Sequence, residues 1–356
     1  MSVAAEPYVL ERLGVVMEPE PGEPLEAWGV LNPAAARDRH GELWLFARLV
    51  AEGNLSRVGR ARVLFEGDRP VGVERAGVAL EPGPAWERNA HTAGVEDPRI
   101  VWMPGLERFV MTYSAYGPLA ARIGLAVSSD LERWERLGPA WFAYQPELET
   151  DLNLYPNKDA VLFPEAVAAP DGRPSFAMLH RPMWDLSWVR PGEGVRLPAG
   201  LDDPSPGIWV SFASAEHALE DLSALVRFDQ HRLVALPEQP WEKLKIGAGS
   251  PPVPVRGGWL VLHHGVAGRL VAGTDHQQHA SYSAGFMVLD SDDVTKVVAR
   301  STAPLLEPVT PGEREGIVPR VVFPTGIDVR EGHADVYYGM ADSRIGAGRL
   351  SPIEAP

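Results

Sequence analysis

A short hairpin signature recurs five times along this chain, and it restricts the fold more than any other feature. The segments "HGELWLFARLV" from 40, "LERFVMTYSAYG" from 106, "RPSFAMLHRP" from 173, "GGWLVLHHGV" from 257 and "HADVYYGMAD" from 333 each read as a polar turn, a strand and a polar end. Most are followed after a loop by a second strand, as in "RIGLAVSSDLERW", "GIWVSFASAEHAL", "YSAGFMVLD" and "RIGAGRL". Measured between Trp44, Phe109, Phe176, Leu260 and Val336, the spacings are 65, 67, 84 and 76 residues. Self-similarity of this kind, without sustained helical periodicity, points to radial β-sheet blades. The expected fold is therefore all-β: a five-bladed β-propeller spanning 1–356 as one unit, extended tails being allowed at either end, with its site in the central funnel. A large two-sheet sandwich of similar short strands is the competing architecture. The 35 Gly and 34 Pro are spread along the chain as turn punctuation, and no linker stands out.

Charge narrows the partners. With 48 Asp plus Glu against 33 Lys plus Arg, the formal charge of -15 repels nucleic acid and anionic membrane over most of the surface. The absence of cysteine removes disulfides, thiolate metal sites and cysteine nucleophiles, and fits a reducing compartment. The N-terminus "MSVAAEPYVLERLG" has no basic segment followed by an apolar one, and no run approaches a membrane span, so a cytoplasmic protein is expected.

In a propeller the strands nearest the axis bring their ends to one funnel. The strand ends here carry Arg48, Tyr113, His180 with Arg181, His263 with His264, and Asp342. In "EDPRI", Pro98 is expected to push Asp97 toward an extended conformation and so orient its carboxylate. Asp97 and Arg99 then either pair across a turn or serve a site in which Asp97 is a general-acid candidate, and the residues alone leave both open. In "MLHRPMW", Met178 and Leu179 imply burial, so Arg181 requires an anionic partner from the protein or from a ligand. Lys245 precedes a Gly-rich bend that lacks the spacing of a P-loop, and His264, His276 and His279 lack metal-site spacing, so neither nucleotide nor metal is expected. No G-x-S-x-G elbow is present. Carboxylates remain beside eleven tryptophans, a combination suited to carbohydrate chemistry.

With these residues assembled, the chain resembles glycoside hydrolase family 130, the β-mannoside phosphorylases and related β-mannosidases. The resemblance runs from "GVLNPAA" at Gly29 to "YYGMADSRIG" near 346, through "EDPRI", "NKDAVLFPE", "MLHRP", "GIWVSFA", "KIGAG", "HHG", "YSAG" and "VPRVVFPTG" in order. It implies a five-bladed propeller in which Asp97 is the general acid, passing its proton through the sugar 3-hydroxyl. It also implies that Asn32, Arg48, Arg99 and Asp342 hold the substrate, while Lys158, Arg181, Lys245, His264 and Tyr282 bind inorganic phosphate.

A phosphate dianion in a closed site needs several cations and donors, whereas a hydrolase needs a carboxylate base for water. The expected activity is thus inverting phosphorolysis of a short β-1,2- or β-1,4-mannoside to α-mannose 1-phosphate, with phosphate as co-substrate and no cofactor. The alternatives are a phosphate-independent exo-β-mannosidase, with Glu165 or Glu315 as base, and a non-catalytic sugar-binding propeller. Cations near Asp97 favour its charged form, which runs against an acid role and must be offset. Lys158 and Arg320 depart from the family pattern. The stretches "VAAPDGRPS" and "WDLSWVRPGEGVRLPAGLDDPSP" read as insertions beside the funnel that reshape the acceptor site.

Overall fold

Each recurring segment folds as a strand buried on both faces, its side chains alternating between two apolar layers. In Leu43–Ala51, Leu45, Ala47 and Leu49 enter one cluster and Phe46 the next; in Gly258–Arg269, Trp259 and Val261 enter one and Leu260 and Leu262 the other. The computed structural model describes residues 7–83, 85–88, 93–118, 120–187, 192–270 and 277–354.

Antiparallel pairing yields five four-stranded blades. The first is Gly29–Arg37, Leu43–Ala51, Leu55–Glu66 and Arg69–Leu80; the second is Ala93–Met103, Arg108–Gly117, Ala120–Ser128 and Glu135–Pro139. The third is Asn157–Leu162, Pro174–Pro182, Ile208–Ser214 and Arg227–Ala235, with Trp141–Phe142 added at its edge; the fourth is Lys245–Ala248, Gly258–Arg269, His279–Asp290 and Val297–Arg300. The fifth is Val322–Arg330, Gly332–Met340 and Arg344–Ile353, completed by the N-terminal strand Val9–Met17.

Five apolar clusters fill the five junctions between successive blades, and one of them joins Tyr337, Ile345 and Ala347 of the last blade to Val30, Leu45 and Ala47 of the first. The ring is therefore closed and the chain is a five-bladed β-propeller. A two-sheet sandwich would have one shared core. The sequence motif, however, marks the second and third strands of each blade, rather than the first and second. The strands nearest the axis precede it, and in four of the five blades they are broken by irregularities that hide their pattern.

Four blades share a further device. A turn ahead of the inner strand buries a glutamate: Glu26, Glu87, Glu242 or Glu313. Each accepts backbone N–H bonds from its own turn and pairs with an arginine of the outermost strand, respectively Arg75, Arg136, Arg300 and Arg12. Tyr113, His263 and Tyr338 of the second strands bond Glu87, Glu242 and Glu313 at 2.6, 2.7 and 3.3 Å. One carboxylate thus ties the axial and outer edges of a blade together.

Candidate active site

The axial strands carry the same local distortion. A bulge falls between Leu31 and Ala34, between Glu96 and Arg99, and between Lys158 and Val161. Within these bulges Asn32, Asp97 and Asp159 adopt φ of 44°, 49° and 56°. Asn and Asp tolerate this left-handed region better than other non-glycine residues. Asp97 is therefore not extended as its neighbour Pro98 suggests, because the bulge overrides the local preference. A bulge re-aims a side chain, and three of them aim polar groups at one axis.

The first group lies around Asp97. Its Oδ1 accepts hydrogen bonds from Asn32 Nδ2 at 2.8 Å and Arg48 Nη1 at 3.2 Å. Arg48 also reaches Glu96 at 2.9 Å, and Lys158 Nζ meets the other oxygen of Glu96 at 3.2 Å. Burial pushes the Asp97 carboxyl up, but Arg48, Lys158, Arg99 and the Asn32 amide together hold it below the usual carboxylate range. Asp342, on the turn after the second strand of the fifth blade, behaves oppositely. Burial, joined by Asp97 and Glu96, outweighs Arg48 and lifts it to about 6.

The second group lies around Asp159. Arg181 Nε donates to Asp159 Oδ2 at 2.6 Å, Arg99 stands 3.5 Å from Oδ1, and His264 Nε2 stands 3.6 Å from Oδ2. Burial is the largest single influence and opposes the ionised form of Asp159, yet Arg181, His264 and Arg99 together outweigh it and hold the carboxyl well below its ordinary range. Arg181 Nη1 and both ring nitrogens of His264 are buried without a hydrogen-bond partner. Burial keeps His264 neutral, so its ring has one N–H to donate. Lys245 Nζ lies 5.4 Å from the centre of the Tyr282 ring, and burial, reinforced by Arg181, lowers its pKa to about 7. The Tyr282 hydroxyl donates to Gln277 at 2.8 Å, and burial raises its pKa. Only glycine fits at 247, where a Cβ would strike Asp159 and His264.

A family model described as beta-1,4-mannooligosaccharide phosphorylase matches residues 20–354. The chain belongs to glycoside hydrolase family 130. A 1,2-beta-oligomannan phosphorylase of Thermoanaerobacter sp. (strain X514) is 32% identical over 74% of this chain and 70% of its own length. A beta-1,2-mannobiose phosphorylase of the same organism is 31% identical over 71% of this chain and 65% of its own. The solved structure of a beta-1,2-mannobiose phosphorylase from Listeria innocua, in complex with beta-1,2-mannobiose, superposes with a TM-score of 0.68 at 21% identity, covering 96% of both chains, which supports the fold.

Within this family 130 propeller, the ten residues singled out from sequence come from all five blades to one end of the axis. Their neighbours do not all follow. Tyr113, His180 and His263 lie inside the blades, because alternation turns His180 away from Arg181 and His263 away from His264. His180 bonds Ser211 at 2.7 Å, which bonds His231 at 2.8 Å. His279 begins its strand, opposite Arg269 and away from His264, and His276 lies outside the described residues. Lys158 differs from the other proposed phosphate ligands in pairing with Glu96. Arg181 has a protein carboxylate in Asp159 and retains an unpartnered Nη1.

Sequence reasoning missed Glu96 and Asp159 as members of the site. The signal was available: "LNPA", "EDPR" and "KDAV" are one repeated motif, with Asn or Asp at the bulge. The "VAAPDGRPS" stretch lies at the opposite end of its strand from Arg181, so it is not beside the funnel. The described part of the 183–207 connection does leave from the Arg181 end, and Trp184 buries itself against Tyr155 and Trp209 at ring distances of 5.0 and 5.6 Å.

Proposed function

We propose that the protein is an inverting β-mannoside phosphorylase acting on a short β-1,2- or β-1,4-linked substrate. The observation that carries this reading is the set of donors contributed by the third and fourth blades beside Asp97: the buried Arg181 Nη1 and His264, and the half-buried Lys245. Five cations, Arg48, Arg99, Lys158, Arg181 and Lys245, gather here in a chain whose formal charge is -15. Glu96, Asp97, Asp159 and Asp342 offset most of that charge, and an anion offsets the rest. Oriented, desolvated donors of this kind suit a phosphate dianion.

Asn32, Arg48 and Asp342 position the mannosyl unit. Arg99, expected from sequence to join them, is instead buried with its guanidinium bonded to the carbonyls of Asp97, Ala248 and Gly249, and so supports the Asp97 bulge from behind. Phosphate oxygen attacks the anomeric carbon opposite the leaving oxygen as the glycosidic bond breaks through an oxocarbenium-like state. Asp97 supplies the proton to the departing oxygen, through the sugar 3-hydroxyl, and α-mannose 1-phosphate leaves with the shortened acceptor. Arg48 and Lys158 keep Asp97 ionised in the free protein. A bound dianion offsets them and raises its pKa, so phosphate binding and Asp97 protonation favour each other. Lys158 sits between the two groups, on Glu96, and tunes Asp97 as much as it attracts phosphate.

The hydrolase alternative needs a second carboxylate poised to activate water. Glu165 is exposed and lines a cavity of about 1030 Å³ at the other mouth of the channel, among Arg37, Trp102 and Asp328. Glu315 is exposed beyond the turn Pro311–Arg314. Neither location supports a base. We further place the protein in the cytoplasm, on its lack of cysteine. Among the described residues no helix is long and apolar enough to cross a membrane. Incubation with β-1,2- and β-1,4-mannobiose, with and without phosphate, tests the reading. Mannose 1-phosphate formed only with phosphate is expected. Free mannose formed regardless of phosphate identifies a hydrolase, and binding without turnover identifies a lectin-like propeller.

A further inference from the structure

At the rim of the site, between the second and third blades, the chain leaves a second concavity of about 460 Å³. Its floor is the upper end of the core shared by those blades, at Ile123, Phe142, Leu152 and Tyr155. Its walls include Trp86 and Trp141. Trp141 is 58% exposed, the most exposed of the described tryptophans, although burying its ring elsewhere would have been favourable. At its axial end the groove is lined by Asn157, the chain neighbour of Lys158, whose ammonium lies 5.2 Å from the centre of the Tyr116 ring. Asn157 and Lys158 open the same axial strand, so the groove begins at the site end of the third blade and leads outward from there.

Its chemistry is selective. Arg122 Nη1 is committed to the carbonyls of Asn153 and Tyr155, and Asn153 Nδ2 to that of Phe142, so the charged and amide groups there hold the walls in place. What faces outward is ring surface. A ligand that meets aromatic faces while keeping its polar edges in water is a sugar, whose C–H face packs on an aromatic ring while its hydroxyls stay solvated. The volume lies in the range of small-ligand sites.

We propose that this groove binds the acceptor-side sugars of β-mannosides longer than the disaccharide, with Trp141 as their stacking platform, so that it sets chain-length preference. The proposal rests on the phosphorylase reading for its substrate. Trp141 contacts neither the bond being broken nor phosphate, so it is a specificity residue and not a catalytic one.

The test compares wild type, Trp141→Ala and Trp141→Phe on β-linked mannobiose, mannotriose and mannotetraose, in phosphorolysis and in calorimetric binding. The expected result for Trp141→Ala is a KM for mannotetraose raised roughly three- to tenfold, with kcat unchanged and mannobiose kinetics within about twofold of wild type. Trp141→Phe should recover most of the loss. An equal effect on mannobiose and mannotetraose, or none on either, overturns the proposal. Should wild type phosphorolyse no β-mannoside, the activity reading fails by itself. The groove is then judged by binding: it stands if wild type holds mannotetraose more tightly than Trp141→Ala does, and falls if the two are equal.

Discussion

Asp97 shows how a single residue can be legible in its chemistry and illegible in its conformation. Its place in "EDPR" marks it as a candidate acid, but its left-handed backbone depends on a bulge against Arg108–Gly117, which no local preference encodes. The same holds for neighbouring pairs. Arg181 and His264 face the axis while His180 and His263 face the blade, and only the strand's register decides which. Removing the Asp97 proton should matter most to turnover. Asp97→Asn is expected to lower kcat by about two to four orders of magnitude while calorimetric binding of mannobiose persists, and near-normal turnover would remove Asp97 from its role. Lys245 makes a different prediction. Its pKa of about 7 means that it is charged below that pH and loses its proton above it. The KM for phosphate should therefore rise as pH climbs through about 7, and this dependence should flatten in Lys245→Met. Because the half-buried ammonium is partly desolvated and faces Arg181 and Lys158, the same variant should melt at a higher temperature than wild type when phosphate is absent. A variant that melts lower would show that Lys245 is satisfied within the protein.

At the level of elements, the second strands were the readable ones. Buried on both faces, they appear in sequence as continuous apolar runs that end in polar groups. The axial strands are interrupted by bulges in four blades and are short in the third and fourth, so their pattern is lost although they carry most of the site. The buried glutamates were also unread, since P-L-E, A-W-E, P-W-E and P-G-E look like ordinary turns. Their energetic weight can be measured. Glu242 meets His263, Arg300 and two backbone N–H groups, so removing it strands a buried arginine and histidine. Glu242→Ala is expected to lower unfolding free energy by about 3–5 kcal/mol, whereas Glu238→Ala, which removes only a largely exposed partner of Arg300, should stay within about 0.5 kcal/mol. Equal effects in denaturant titrations would show the buried carboxylate to be dispensable. Burial opposes ionisation of Glu242, but His263 and the backbone bonds outweigh it and bring its pKa to about 2. Its contribution is complete above the ordinary glutamate range and is lost as pH falls toward 2.

For the whole molecule, the count of blades followed from the repeat, while the way the ring closes did not. Closure uses Val9–Met17 paired with Arg344–Ile353, a contact between the two ends of the chain that leaves no local trace. Closure is what gives the separate pieces a common axis. Asn32 and Arg48 come from the first blade, Asp97 and Arg99 from the second, Lys158, Asp159 and Arg181 from the third, Lys245, His264 and Tyr282 from the fourth, and Asp342 from the fifth. That convergence around an inorganic anion is the central claim, and calorimetric titration of inorganic phosphate into wild type and Arg181→Ala addresses it most directly. One saturable phosphate site per chain in wild type, weakened about tenfold or more in a folded Arg181→Ala, is the predicted result. Absence of saturable binding in wild type, or equal affinity in both proteins, would contradict it.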